Sequence, residues 1–164
     1  MKQHIGVKLI NATPMTLGDY NALRGWHMPS DESPEAPGHL VEYLDGGKPN
    51  CEGFDNYVSW SPADVFERAY RPTDGMPFGM ALEALRMGKR VARAGWNGKG
   101  MWLVLDPGTS AVRPRPGSPY HKAGLKDVVD INAHIDMMTA TGEMQPGWLA
   151  SQTDMLADDW MIVE

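Results

Sequence analysis

The feature of this sequence that most constrains its fold is the shortness of its apolar segments. The longest uninterrupted apolar run, at residues 101–105, has five residues, whereas a helix needs about 20 to cross a bilayer. The chain also contains 18 glycines and 13 prolines among its 164 residues, which favour turns. We therefore expect no membrane span and short elements joined by turns.

Helix and strand patterns follow each other along the chain and predict an α+β fold of small antiparallel sheets with a few short helices. Capping residues predict helix starts at Thr16, Ser61 and Ser151. A further helix is predicted because four apolar residues fall on one of its faces: Phe78, Ala81, Leu82 and Leu85. Residues alternate in character at 5–10 and 129–138, which predicts a strand at each place. Further strands are predicted at 39–44, 57–60, 89–94, 101–105, before 148 and at 160–163, and residues 107–124 are predicted as a loop.

The elements group into two modules, which we predict at residues 1–72 and 76–164. The net charge of −6 argues against a general DNA- or RNA-binding protein. Cys51 is the single cysteine, and the first residues show no pattern typical of a signal peptide, so we expect a reducing cytosol. A cluster of five cations in the second module is either a solvated face or attracts a small anionic ligand: Arg86, Lys89, Arg90, Arg93 and Lys99.

Searches for catalytic and metal-binding motifs predict neither a catalytic residue nor a metal ligand. No two histidines are spaced as in a zinc site, and no phosphate-binding loop or hydrolase nucleophile motif is present. His134 and Asp136 share the polar face of one predicted strand, which indicates either acid–base chemistry or a solvated face. Asp154, Asp158 and Asp159 could bind a divalent metal, but Asp154 is better explained as an acid in the first turn of a helix, and Asp158 and Asp159 as exposed residues.

The stretch GWNGKGMW, residues 95–102, combines glycines with tryptophans, an amide and a cation. It is typical of two structures, a tight turn beside a core tryptophan or a nucleotide pocket. In a pocket, Trp96 would stack on a base, and Asn97 would recognise a base or ribose edge. Lys99 would attract phosphate, and the glycines would let backbone N–H groups approach it.

Two longer blocks resemble the Thoeris anti-defence protein 2 family of bacteriophages. They are PFGMALEALRMGKRVARAGWNGKGMWL at residues 77–103 and WLASQTDMLADDWMIVE at 148–164. The resemblance implies no enzyme and no cofactor. It implies a homotetrameric sponge in the host bacterial cytoplasm that sequesters glycocyclic ADP-ribose, and in some members cyclic dinucleotides. Residues 1–75 resemble a phage module, of no established role, that is fused to such domains.

The resemblance also implies which residues line a ligand pocket between subunits. One wall would be the turn of Trp96 and Asn97, framed by residues 98–101, and the second wall would be residues 150–154. The implied ligand-binding residues are Phe78, Trp96, Asn97, Gly98, Lys99, Gly100, Met101, Gln152, Thr153 and Asp154.

Two other functions remain open from the sequence alone. A structural or interaction protein of the virion would use the acidic first module as its docking surface. A phosphodiesterase would use His134 or the aspartates near residue 154 and would show metal-dependent turnover.

Overall fold

The computed structural model describes residues 1–97 and 100–164. The chain divides into two compact units, unit 1 (Met1–Arg71) and unit 2 (Pro72–Glu164). The described residues form five short helices and ten strands, which confirms the predicted α+β class. In that part of the chain no helix has the length and apolarity that a membrane crossing requires.

The helices and strands have the following bounds. The helices are α1 (Leu17–Arg24), α2 (Ala63–Ala69), α3 (Phe78–Arg86), α4 (Pro119–Lys122) and α5 (Gln152–Met155). The strands are β1 (Ile10–Pro14), β2 (Gly38–Tyr43), β3 (Val58–Pro62), β4 (Arg90–Arg93), β5 (Trp102–Asp106), β6 (Thr109–Val112), β7 (Val129–Ile131), β8 (His134–Met138), β9 (Met144–Gln145) and β10 (Trp160–Val163).

Unit 1 is an antiparallel sheet of order β1-β2-β3 with helices α1 and α2. Helix α1 begins as predicted, because the hydroxyl of Thr16 accepts a hydrogen bond from the backbone N–H of Asp19. Tyr20 from this helix packs with Leu40 and Val58 of the sheet in a small buried core.

Unit 2 is built on an antiparallel sheet of order β10-β4-β5-β8-β9, with helix α3 packed against it. Its core holds Leu85, Val91, Leu103 and Trp160, all of which are almost fully buried. The start of the unit is tied to its last strand, since Met76 and Trp160 exchange backbone hydrogen bonds of 2.8 and 3.1 Å. The strands predicted at residues 89–94 and 101–105 are confirmed as β4 and β5, which pair antiparallel.

The strand predicted at residues 5–10 is wrong except at its last residue, because the first strand covers Ile10–Pro14. Its register pairs Ile10 with Tyr43 and Pro14 with His39 on β2. The alternating residues of this segment do not alternate between buried and exposed positions, because residues 5–8 are all exposed. The apolar pattern there has no partner strand to cover it.

The single strand predicted at residues 129–138 is divided in the structure. Strand β7 pairs with β6 in a separate two-stranded sheet, whereas β8 belongs to the large sheet. The two strands part beside Gly108, where a Cβ would lie 2.3 Å from the carbonyl oxygen of Ile131. Gly108 has a φ of 84°, and the close approach of the two backbone segments leaves no room for a side chain there.

Two local predictions in other segments are also corrected. Residues 107–124 are not a continuous loop, since they contain β6 and α4, and the latter is capped by Ser118. Ser61 does not cap α2, because it belongs to β3, and the helix follows Pro62 without a side-chain cap. Ser61 remains in the strand because the pairing of β3 with β2 continues as far as Pro62.

Candidate functional site

Four aromatic side chains of unit 2 form one connected group, which we call the aromatic cluster: Phe78, Trp96, Trp148 and Trp160. The ring centroids of Trp96 and Trp160 are 5.5 Å apart, and those of Trp96 and Trp148 are 6.2 Å apart, both with edge-to-face geometry. Phe78 lies 5.3 Å from Trp160. Trp160 is fully buried and the other three are half-buried, so the cluster extends from the core to the surface.

Strand pairing explains why residues so distant in the sequence meet here. The β4–β10 register places Arg93 opposite Trp160. Trp96 lies three residues after Arg93, in a turn closed by a hydrogen bond from its backbone N–H to the carbonyl of Arg93. Trp148 is fixed by a 2.7 Å hydrogen bond from its backbone N–H to Ile135 on β8.

Asp154 connects the short helix α5 to the aromatic cluster. Its carboxylate completes a capping box with Ser151, as the sequence predicted for a first-turn acid. The same carboxylate accepts a 3.1 Å hydrogen bond from the indole Nε1 of Trp96. Its backbone carbonyl accepts a 2.9 Å bond from Nε1 of Trp160. A single residue therefore holds two of the tryptophans.

Arg93 pairs with two aspartates beneath this surface. Its guanidinium donates to Asp154 and to Asp159, in each case over 2.8 Å, and its side chain is only 12% exposed. Asp159 also accepts a 2.7 Å bond from the backbone N–H of Gly95. The interpretation of Arg93 as part of a solvated cationic face is therefore wrong, and so is that of Asp159 as exposed.

Each charged group of this network favours the charged form of its partners. Partial burial would raise the pKa of Asp154, but hydrogen bonds from Ser151, Arg93 and Trp96 outweigh it and lower the pKa to about 2. The bond from Arg93 likewise lowers the pKa of Asp159, and both aspartates raise the pKa of Arg93. All three groups are thus charged at neutral pH.

The residues that the sequence implied for ligand binding fall into three sets. Phe78, Trp96 and Asp154 lie together at the aromatic cluster, and Met101 packs half-buried against the same core. The exposed residues are Asn97 and Gly100 in the turn and Gln152 and Thr153 on α5. Gly98 and Lys99 lie outside the residues that the structure describes.

Sequence reasoning missed four members of the site: Arg93, Trp148, Asp159 and Trp160. Two of them are tryptophans that the motif search treated only as parts of strands. Arg93 and Asp159 are 66 residues apart, so no spacing rule connects them. The sequence signal that could have found them was the predicted strand at 160–163. Pairing this strand with the one at 89–94 brings Arg93 and Asp159 together.

Comparison with known proteins covers the same part of the chain. Residues 76–163 match the model of the Thoeris anti-defense 2-like domain. The protein Thoeris anti-defense 2 of Bacillus phage SP01 is 41% identical over 88 residues, which are 54% of this chain and 94% of that protein. The match contains the whole aromatic cluster and the Arg93 network. This chain therefore belongs to the Thoeris anti-defense 2-like family.

Proposed function

We propose that this protein is a phage anti-defence sponge that binds a cyclic nucleotide immune signal and sequesters it without cleaving it. The proposed signal is glycocyclic ADP-ribose, with cyclic dinucleotides as further ligands. The observation that carries the proposal is the half-buried indole of Trp96, which Asp154 holds in a glycine-flanked turn. The proposal requires the protein to meet the signal inside the infected bacterium.

The geometry of Trp96 suits stacking on a purine. Its ring is held by edge-to-face contacts with Trp148 and Trp160 and by the hydrogen bond to Asp154. Such a ring loses little conformational freedom when a ligand binds. Stacking of a base on an aromatic side chain contributes about 1–3 kcal/mol. The exposed Asn97 follows directly and offers a donor and an acceptor to a base or ribose.

The charge distribution suits an anionic ligand once the acidic residues near Trp96 are paired. Asp154 and Asp159 share the guanidinium of Arg93, so their repulsion of a phosphate is reduced. Lys99 is, by its place in the sequence, the cation that we propose for the phosphates. The turn glycines would complete this part of the site with backbone N–H donors.

Exposed leucines on both sides of α5 support a site that two subunits share. Leu149 is 89% exposed and Leu156 is 78% exposed, and Met155 between them is also exposed. Interfaces typically contain large apolar side chains that are exposed in the free subunit. We propose that a second copy of the chain covers them in a homotetramer, with the ligand enclosed between protomers. Nanomolar retention needs about −12 kcal/mol, and enclosure strengthens charged contacts by excluding water.

Recovery of the bound ligand tests sequestration against catalysis. The full chain is incubated with glycocyclic ADP-ribose, freed of unbound ligand and then heat-denatured, and the released material is identified by mass spectrometry. A sponge releases the intact cyclic molecule in stoichiometric amount. Release of a linear product, or turnover that depends on added metal ions, would contradict the proposal and indicate a phosphodiesterase.

A further inference from the structure

Three potential metal-ligating side chains of unit 2 converge at the end of the β5–β8 ladder. The register places Asp106 directly opposite His134, and Asp136 follows on the same face of β8. Nε2 of His134 lies 3.5 Å from Oδ1 of Asp136 and 4.0 Å from Oδ2 of Asp106. All three residues are half-buried, and the side chain of Asp106 remains 44% exposed.

The spacing of these atoms is close to that of ligands around one ion. One ligand atom from each residue lies within 4.8 Å of the other two. Ligands at about 2.0–2.2 Å from a tetrahedral zinc ion are about 3.3–3.6 Å apart. The pair of His134 and Asp136 already has this separation, whereas Asp106 at 4.0 Å would have to move closer to His134.

The hydrogen bonds around the three residues orient their ligand atoms toward one another. Nδ1 of His134 lies 2.8 Å from the backbone carbonyl of Asn132. A carbonyl can only accept, so Nδ1 carries the hydrogen and the neutral ring has its lone pair on Nε2, facing the carboxylates. Metal-bound histidines usually donate their other ring N–H in this way.

Each carboxylate is held by a backbone donor outside the group. Asp106 accepts a 2.7 Å bond from the N–H of Gly108, and Asp136 accepts a 3.1 Å bond from the N–H of Gly147. Gly147 directly precedes Trp148 of the aromatic cluster. The three side chains thus connect β5, β8 and the segment that carries Trp148.

We infer that Asp106, His134 and Asp136 bind a divalent transition-metal ion such as Zn²⁺. One imidazole nitrogen and two carboxylate oxygens are a donor set that suits such ions better than Mg²⁺, because Mg²⁺ prefers oxygen ligands alone. Three protein ligands leave a fourth position for water. The ion would stabilise unit 2 by joining its strands at this end. This inference is independent of the proposed ligand site at Trp96.

Zinc titration of the full chain tests the inference. The protein is treated with EDTA, freed of chelator and titrated with Zn²⁺ in a calorimeter at about pH 7.5, where neutral histidine is available as a ligand. We expect saturable binding of one ion per chain, a higher melting temperature, and weaker binding of Mg²⁺. His134→Ala should lower zinc affinity at least about tenfold.

Matched variants separate this site from other zinc-binding groups and from misfolding. His27→Ala removes an exposed histidine of unit 1 and should leave zinc affinity unchanged. Asp136→Asn keeps the size of the side chain and should weaken zinc binding while circular dichroism shows an intact fold. Equal zinc affinity in the wild type and both site variants would overturn the inference. So would an absence of saturable binding, the result expected if His134 is only a protonated partner of the carboxylates.

Discussion

The indole Nε1 of Trp96 donates a hydrogen bond to Oδ1 of Asp154 over 3.1 Å, across 58 residues of sequence. The same oxygen accepts from the guanidinium of Arg93 at 2.8 Å. The other carboxylate oxygen is bound to Ser151. The orientation of the turn after β4 therefore depends on helix α5, and a change at Asp154 should affect both fold stability and the position of Trp96.

Replacement of Asp154 by asparagine should destabilise unit 2 and weaken ligand binding. The amide has a similar size but lacks the charge that pairs with Arg93, whose guanidinium is largely buried. We expect the free energy of unfolding, measured with urea, to fall by about 2 kcal/mol. Asp158→Asn is the matched control, because Asp158 is exposed. Equal losses in the two variants would contradict the role assigned to Asp154.

The free energy of unfolding should decrease in acid because of the same aspartate. Folding lowers the pKa of Asp154 from 3.8 to about 2, so its stabilisation is complete above its unfolded pKa. This stabilisation is lost as the pH falls from about 4 through 2. Arg93 also lowers the pKa of Asp159, so protonation of Asp159 in acid likewise reduces the free energy of unfolding. Urea titrations across this range should show a smaller decrease for Asp154→Asn than for the wild type, and parallel curves would refute the assignment.

Truncation of the Trp96 ring should affect ligand affinity more than it affects the fold. We expect Trp96→Ala to weaken binding of glycocyclic ADP-ribose at least about tenfold in a calorimetric titration, through the loss of base stacking. Trp26→Ala provides the comparison, because Trp26 is 54% exposed and belongs to unit 1. Circular dichroism would verify that both variants are folded. Unchanged affinity in folded Trp96→Ala would exclude this residue from the pocket.

Introduction of a charge beside α5 should reduce the oligomeric state. Leu156→Asp places a carboxylate on the apolar surface that we assign to subunit contacts, and burial of an unpaired charge is unfavourable. Native mass spectrometry should show tetramers for the wild type and smaller species for the variant. Leu125→Asp alters another exposed leucine of unit 2 and should leave the tetramer intact. A wild-type monomer, or a tetramer of Leu156→Asp, would contradict this interface.

Local signals in the sequence predicted much of unit 2. The spacing of Ala81 and Leu85 identified α3 and its buried face. The serine and aspartate of the capping box marked the start of α5, and the last strand was predicted with its observed bounds. Each of these features is determined by residues within one or two turns, so a short window of sequence contains the necessary information.

The features that the sequence did not reveal depend on contacts between distant segments. Arg93 is a buried ion-pair partner only because β10 pairs with β4 and brings Asp159 beside it. The division of residues 129–138 coincides with the close approach of Gly108, which lies between β5 and β6. Alternation alone shows which residues share a strand face, but it does not show which sheet the strand joins or where the sheet ends.

The backbone hydrogen bonds between Met76 and Trp160 bring the first and last segments of unit 2 together. The two ends of this unit therefore lie near each other at the β10 edge of its sheet. The same closeness allows circular permutation, with a short linker joining the old ends and a new opening in the segment between β6 and β7. A permuted unit would retain the β4–β10 pairing and the capping box of α5.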